Sequence, residues 1–314
     1  MIIVDGHCDT LLELYKNNRS FWTQNQEGHL DWPRLQKGLV GLQFMAVYIE
    51  SRYKPYGALC RALEILDYYH SIVREGKGKL ITVLYKKDLQ GLHYSSPRVL
   101  LSIEGGEVLE GKLSTLRILF QLGFRSLTLT WNQRNQLGDG VGEAKARGDL
   151  TTFGREVVQE MNKLGMLIDL SHLSEAGFWD ALSLSAQPVA VTHSCCSALH
   201  QHPRNLTDAQ LQALGQQKGI IGINFYPDFL GKQEITLDHV VQHLEHAVLI
   251  AGINQVGLGS DFDGIEKVPY GLEDGAKLPG LIEKLLQRGW KEEEVQKIMG
   301  GNYLRVLEKI LPEE

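Results

Sequence analysis

Cysteine is scarce: four in 314 residues, Cys8, Cys60, Cys195 and Cys196. That is too few for a disulfide framework, and the spacing is not that of a zinc finger. The four read as reduced, with the adjacent Cys195 and Cys196 as packing residues. Positive charge is short as well. A net charge of -6 and an isoelectric point near 6.0 leave no footprint for DNA, RNA or an anionic membrane. No uninterrupted apolar run reaches membrane-spanning length, since the longest candidate, residues 38–49, is broken by Gln43. A basic segment leading into an apolar core is absent from the amino terminus, where the first strand starts at residue 2. The expectation is a cytoplasmic protein without nucleic-acid or membrane partners. No Gly-rich phosphate turn follows the first strand, which argues against an open dinucleotide-binding sheet. Linkers, low-complexity segments and internal repeats are also missing.

What the chain does have is alternation. Its 43% hydrophobic and 22% charged residues suit a large core, and short apolar runs alternate with helical patterns. The runs are IIV (2–4), GLVGLQFMAVYIE (38–50), RVLLSIEGG (98–106), FRSLTLTW (124–131), MLIDLSH (166–172), PVAVTHS (188–194), GIIGINFY (219–226) and QVGLGSDFD (255–263). Helical patterns fall at 56–75, 113–122, 153–164, 174–184 behind Ser174, 208–217 behind Thr207, and 237–251. Two more, at 278–288 and 292–311, close the chain. Eight continuous apolar strands separated by amphipathic helices predict a (β/α)8 TIM-type barrel. The expectation is one domain over residues 1–314, with the C-terminal helices of 278–311 packed on it. Residues 16–36 and 132–150 read as irregular rim loops or an edge insertion.

Function in such a barrel sits where strands end, and polar residues close these runs with regularity. His7 and Asp9 close the first, Glu104 the third, His172 the fifth, His193 the sixth, and Asp261 and Asp263 the eighth. His7 and Asp9 share one side of an extended chain, with Cys8 on the other. Any one histidine after an apolar run reads equally well as a hydrogen-bonded core residue. Several imidazoles and carboxylates converging on one rim would desolvate and repel each other unless cations neutralised them, and metal is the economical answer. The helix segment HVVQHLEH places His239 and His243 four apart but has no HExxH arrangement, and reads with His246 as a solvated face.

Over nearly its whole length the chain resembles the membrane (renal) dipeptidases of the metal-dependent amidohydrolase superfamily. The resemblance rests on VDGHCDT (4–10), SIEGG (102–106), LGFRSLTLTW (122–131), LGMLIDLSHLS (164–174), PVAVTHS (188–194), HPRN (202–205), INFY (223–226) and GLGSDFDG (257–264), in order. It implies a dizinc dipeptidase: one zinc on His7 and Asp9, another on His172 and His193, and Glu104 bridging both. It further implies Asp261 as the acid/base carboxylate beside the metals and Arg204 as the group that binds the substrate carboxylate. Tyr226 is placed to add a hydroxyl there. A homodimer, a small dipeptide substrate and tolerance of a C-terminal D-residue are also what the resemblance implies. Trp131 departs from the pattern, standing where well-known mammalian members carry a histidine that faces the substrate; an indole offers one N-H and no acid or base. Two other readings stay open. One is a different amidohydrolase reaction, such as that of a cyclic amidase, an N-acyl amino acid hydrolase, a phosphotriesterase or a nuclease; the other is a metal-binding relative without catalysis.

Overall fold

The computed structural model describes residues 1–232 and 234–314. Its centre is a ring of parallel strands: β1 (Ile3–Asp5), β2 (Val40–Tyr48), β4 (Arg98–Glu104), β5 (Phe124–Thr128), β6 (Leu167–Asp169), β7 (Ala190–Ser194), β8 (Ile220–Ile223) and β9 (Val256–Leu258). The order runs β2-β1-β9-β8-β7-β6-β5-β4, and pairing of β2 with β4 closes it. This is the (β/α)8 barrel that the apolar runs predicted. The two-residue strand β3 (Ile81–Thr82) pairs only with the start of β4, at Arg98 and Val99, and stands outside the ring.

Strand residues are buried almost throughout, as required where helices cover the outer face and side chains fill the inner one. Between strands lie the helices Ala58–Glu75, Leu113–Gln121, Thr152–Leu164, Glu175–Leu184, Asp208–Gln216 and Leu237–Ala251. Caps fix their starts: Thr151, Ser174 and Thr207 accept hydrogen bonds from the backbone N-H of Gly154, Gly177 and Gln210. The barrel floor is closed by the C-terminal helix Asn302–Ile310. Its Tyr303, Val306, Leu307 and Ile310 pack with Val4, Leu42, Phe44, Leu100 and Leu167 in one apolar cluster. Among the described residues no helix is long and apolar enough to cross a membrane.

The segments expected to be irregular hold more order than the sequence suggested. Helices Thr10–Asn17 and Trp32–Lys37 run into the two ends of residues 16–36, whose middle is irregular as expected, and a 3-10 turn, Val141–Ala146, sits within 132–150. The last helix is interrupted by a π-helical turn, Lys297–Gly301, so that it reads Glu292–Gln296 and then Asn302–Ile310. Strands also stop earlier than their apolar runs. Beyond Asp5, Thr128, Asp169 and Leu258 the chain leaves the ladder, and the residues just past these ends, with Glu104 and His193 still on their strands, form the site.

Candidate active site

Five strand ends deliver six side chains to one point. His7 Nε2 lies 3.6 Å from Asp9 Oδ2, 3.5 Å from Glu104 Oε2 and 3.8 Å from Asp261 Oδ1. The second oxygen of Glu104, Oε1, lies 3.0 Å from His172 Nε2 and 3.7 Å from His193 Nε2. Glu104 therefore stands between two groups of nitrogens, one oxygen toward each. Donor atoms of His7, Glu104 and His193, and of His7, Asp9 and Asp261, each fall within 4.8 Å of one another.

The backbone is bent to achieve this. His172, Asp261 and Asp263 adopt left-handed φ values of 66°, 63° and 65°, a region that costs energy for residues with a side chain and clusters at functional sites. Close approach also demands glycine beside them. A Cβ on Gly264 would lie 2.1 Å from Asp9 Oδ2 and 2.7 Å from Asp261 Oδ1.

Burial sets the electrostatics. Desolvation, with help from the Arg204 charge, lowers His172 to about 4, and desolvation with the charges of His7 and His172 puts His193 well below its ordinary range. Both imidazoles are thus neutral, with lone pairs to offer. Burial opposes protonation of His7 too, but Glu104 and Asp9 outweigh it and raise that ring well above its usual value. Asp9 is pushed up to about 7 by burial and then by the Glu104 charge. Burial and Glu104 also raise Asp261, while the charge and hydrogen bonds of His7 and His172 overcome burial to hold Glu104 low.

The residues fit metal ions. His7 Nε2 and Asp9 Oδ1 are buried with no hydrogen-bond partner, an expensive state for polar atoms. Nε2 of His172 and Nε2 of His193 face each other at 2.7 Å, two neutral acceptors in contact unless a cation separates them. Imidazole nitrogens with carboxylate oxygens are the donor set that zinc takes.

Around this cluster is a cleft of about 640 Å³ walled by Tyr48, Trp131, Arg204, Tyr226, Asp228 and Asp261 among others. Arg204 is buried; its Nη2 donates to the His193 carbonyl at 2.9 Å, its Nε has no partner, and its guanidinium stacks 5.4 Å above the Phe229 ring. No carboxylate among the described residues comes within ion-pair distance of it. Tyr226 lines the cleft but donates its hydroxyl to Asp228 Oδ2 at 3.0 Å. Trp131 packs 5.4 Å from the Tyr48 ring and 6.0 Å from His172, with Lys54 Nζ 5.2 Å over its outer face.

The family model of the membrane dipeptidases, peptidase family M19, matches residues 1–312. The chain belongs to that family. This dipeptidase is a metal-dependent peptide hydrolase. It is 36% identical over 325 residues to dipeptidase aclJ of Aspergillus oryzae, covering 97% of this chain and 77% of the relative. Dipeptidase tcpJ of Claviceps purpurea is 35% identical, with 98% and 76% covered. Among solved structures, a metallopeptidase of Rhodobacter sphaeroides liganded with a phosphinate mimic of L-Ala-D-Ala superposes with a TM-score of 0.92 at 29% identity, over 99% of both chains.

One reading of the dipeptidase sequence needs correction. His243 is not on a solvated face: it is 1% exposed, its Nδ1 accepts from the Cys196 N-H and its Nε2 reaches the Leu230 carbonyl. On the same helix His239 caps the first turn through Thr236, and His246 pairs with Asp208. Asp263 stands apart from the cluster, its carboxylate accepting from the Thr10 hydroxyl and the His29 backbone N-H. Asp5 accepts from Ser260 and Gln43, tying β1 to its neighbours.

Sequence reasoning passed over several residues that hold the site. Asn224 donates to Asp261 Oδ2 at 2.9 Å, Asn132 accepts from His172 Nδ1 at 2.7 Å, and Asp169 and Thr192 sit beneath His193. A signal existed for Asp169, a charged residue inside an apolar strand, since such groups stay buried only when fully hydrogen-bonded.

Proposed function

We propose that this enzyme is a two-zinc dipeptidase acting on dipeptides with a free C-terminal carboxylate, those with a C-terminal D-residue included. His7, Asp9 and Glu104 would hold one zinc, and His172, His193 and Glu104 the other. When bound, a zinc pair supplies Lewis-acid polarisation of a carbonyl and lowers the pKa of water toward neutrality.

The chain's own groups do the rest. Arg204, a buried cation without a carboxylate partner at one wall of the cleft, carries the reading. Its planar fork suits a carboxylate bidentately and would fix the scissile bond over the ligand cluster. Asp261 and Glu104 are the catalytic carboxylates. Asn224 holds Asp261 Oδ2, so Oδ1 is free to take a proton from water and return it to the departing amine nitrogen. Trp131 and Tyr226 bind substrate as walls of the cleft. The L-Ala-D-Ala mimic bound by the Rhodobacter sphaeroides neighbour supports acceptance of a D-residue.

Elemental analysis together with an assay panel of L,L and L,D dipeptides, their amides and N-acetyl amino acids tests this. Two zincs per chain and hydrolysis confined to free-carboxylate dipeptides are expected. Turnover of amides at equal rates would remove Arg204 from its role, and preference for N-acetyl amino acids would move the reaction to another amidohydrolase class.

A further inference from the structure

Beneath His193 lies a buried carboxylate that holds no place in the ligand set. Asp169 receives five hydrogen bonds: from Ser171 N at 3.0 Å, Ser171 Oγ at 2.8 Å and Thr192 N at 2.9 Å on Oδ1, and from Thr128 Oγ1 at 2.6 Å and Thr192 Oγ1 at 2.7 Å on Oδ2. With both oxygens so occupied, Asp169 acts as an acceptor only. The Thr192 hydroxyl also lies 2.9 Å from His193 Nδ1.

Proton counting decides the direction of this chain. A hydroxyl has one proton to give. Thr192 gives it to Asp169, so toward His193 it can only accept. His193 Nδ1 must then carry a proton and donate it. A neutral imidazole has a single ring proton, which leaves Nε2 bare, facing Glu104 Oε1 and His172 Nε2.

We propose that Asp169 and Thr192 are positioning residues, a relay that fixes His193 as its Nδ1-H tautomer so that Nε2 presents a lone pair to the second zinc. The proposal rests on the two-zinc reading. It gives a buried carboxylate and a hydroxyl inside the barrel a task in metal selection that their packing alone does not require. Partners of this kind fix ligand tautomer and orientation, and losing one costs on the order of 10–100-fold in metal affinity.

Thr192→Val removes the hydroxyl at constant shape, leaves Asp169 with four donors and keeps the backbone bond from Thr192. Thr192→Ser restores the hydroxyl. Zinc affinity is measured on the holoenzyme by competition with a chelator, and the His193 ring nitrogens are followed by ¹⁵N NMR with and without zinc. The valine variant should lose roughly 10–100-fold in affinity for one of two zincs, and serine should recover most of it. The parent's zinc-free spectrum should show Nδ1 protonated and Nε2 bare. Parent-like affinity for both zincs in the valine variant, or a protonated Nε2 in the parent, overturns the relay. Fewer than two zincs in the parent would instead sink the two-zinc reading, and the spectrum would still judge the tautomer. Should the valine variant fail to fold, the parent's spectrum decides alone.

Discussion

Gly222 and Tyr303 share one space at the barrel floor: a Cβ on Gly222 would lie 2.5 Å from the Tyr303 hydroxyl and 2.1 Å from the Thr192 carbonyl oxygen. The first neighbour is a buried side chain from the closing helix and the second is backbone of β7, one residue before His193, which would hold a zinc. Neither can step aside, because interiors are packed at crystal density. Gly222→Ala should therefore cost about 1–3 kcal/mol or more. It should also loosen zinc, because the strain falls on Thr192. Thermal melts with and without zinc check this; an unchanged Tm would show that the floor has slack.

The barrel was legible because its strands are buried on both faces and so appear as plain apolar runs. The clustered residues were legible because five of the eight runs lead into an imidazole or a carboxylate, at His7, Glu104, His172, His193 and Asp261. What escaped was phase and partnership. His243 was read by its polarity, yet Val240, Leu244 and Ala247 mark the buried stripe of its helix, and position 243 lies within that stripe. Thr10–Asn17 is too short for its periodicity to stand out. Asp169 and Thr192 looked like ordinary strand residues, since their role depends on a hydrogen bond across the β6–β7 pair that no single segment encodes.

Asp261→Asn removes the free oxygen that would carry the proton but keeps the shape and, through its amide oxygen, the bond from Asn224. Zinc content should stay near the parent's, and kcat should fall by roughly 10²–10⁴ with little change in KM. Parent-like kcat would exclude Asp261 from proton transfer. Loss of zinc would instead make it a ligand.

Arg204→Met keeps an unbranched side chain and deletes the charge, together with the guanidinium that stacks on Phe229. For free-carboxylate dipeptides KM should rise by about 10–100-fold, in line with the loss of a charge-assisted hydrogen-bond pair. Dipeptide amides, which the parent should handle poorly, should be little affected. A parallel loss on both substrates would mean that the variant has distorted the His193 carbonyl contact rather than removed a recognition group.

Trp131 touches Tyr48 and His172 through its rings and has no hydrogen bond from its indole nitrogen among those described. Its contribution should then be area, not donation. Trp131→Phe should leave kcat within about threefold, whereas Trp131→Ala should raise KM by roughly tenfold as buried apolar surface is lost. A drop of about a hundredfold in kcat for the phenylalanine variant would show that the indole N-H bears on the reacting carbonyl.

His243 makes a pH prediction whose sign follows from its partners. The Cys196 N-H can only donate, so His243 Nδ1 must accept, and protonating it would break that bond at a buried position. Burial is the main cause that lowers its pKa from 6.5 to about 4. Because the folded value lies below the unfolded one, the unfolded chain binds the extra proton first. The associated stability is fully present above about pH 6.5 and is lost as pH falls toward 4, up to about 3 kcal/mol. Urea unfolding of the chelated enzyme at pH 7 and pH 4.5, with His243→Gln alongside, isolates this contribution, since chelation removes metal release from the difference. The parent should lose more stability between the two pH values than the glutamine variant; equal losses would mean that the imidazole is protonated in the folded state and that the Cys196 contact is not maintained.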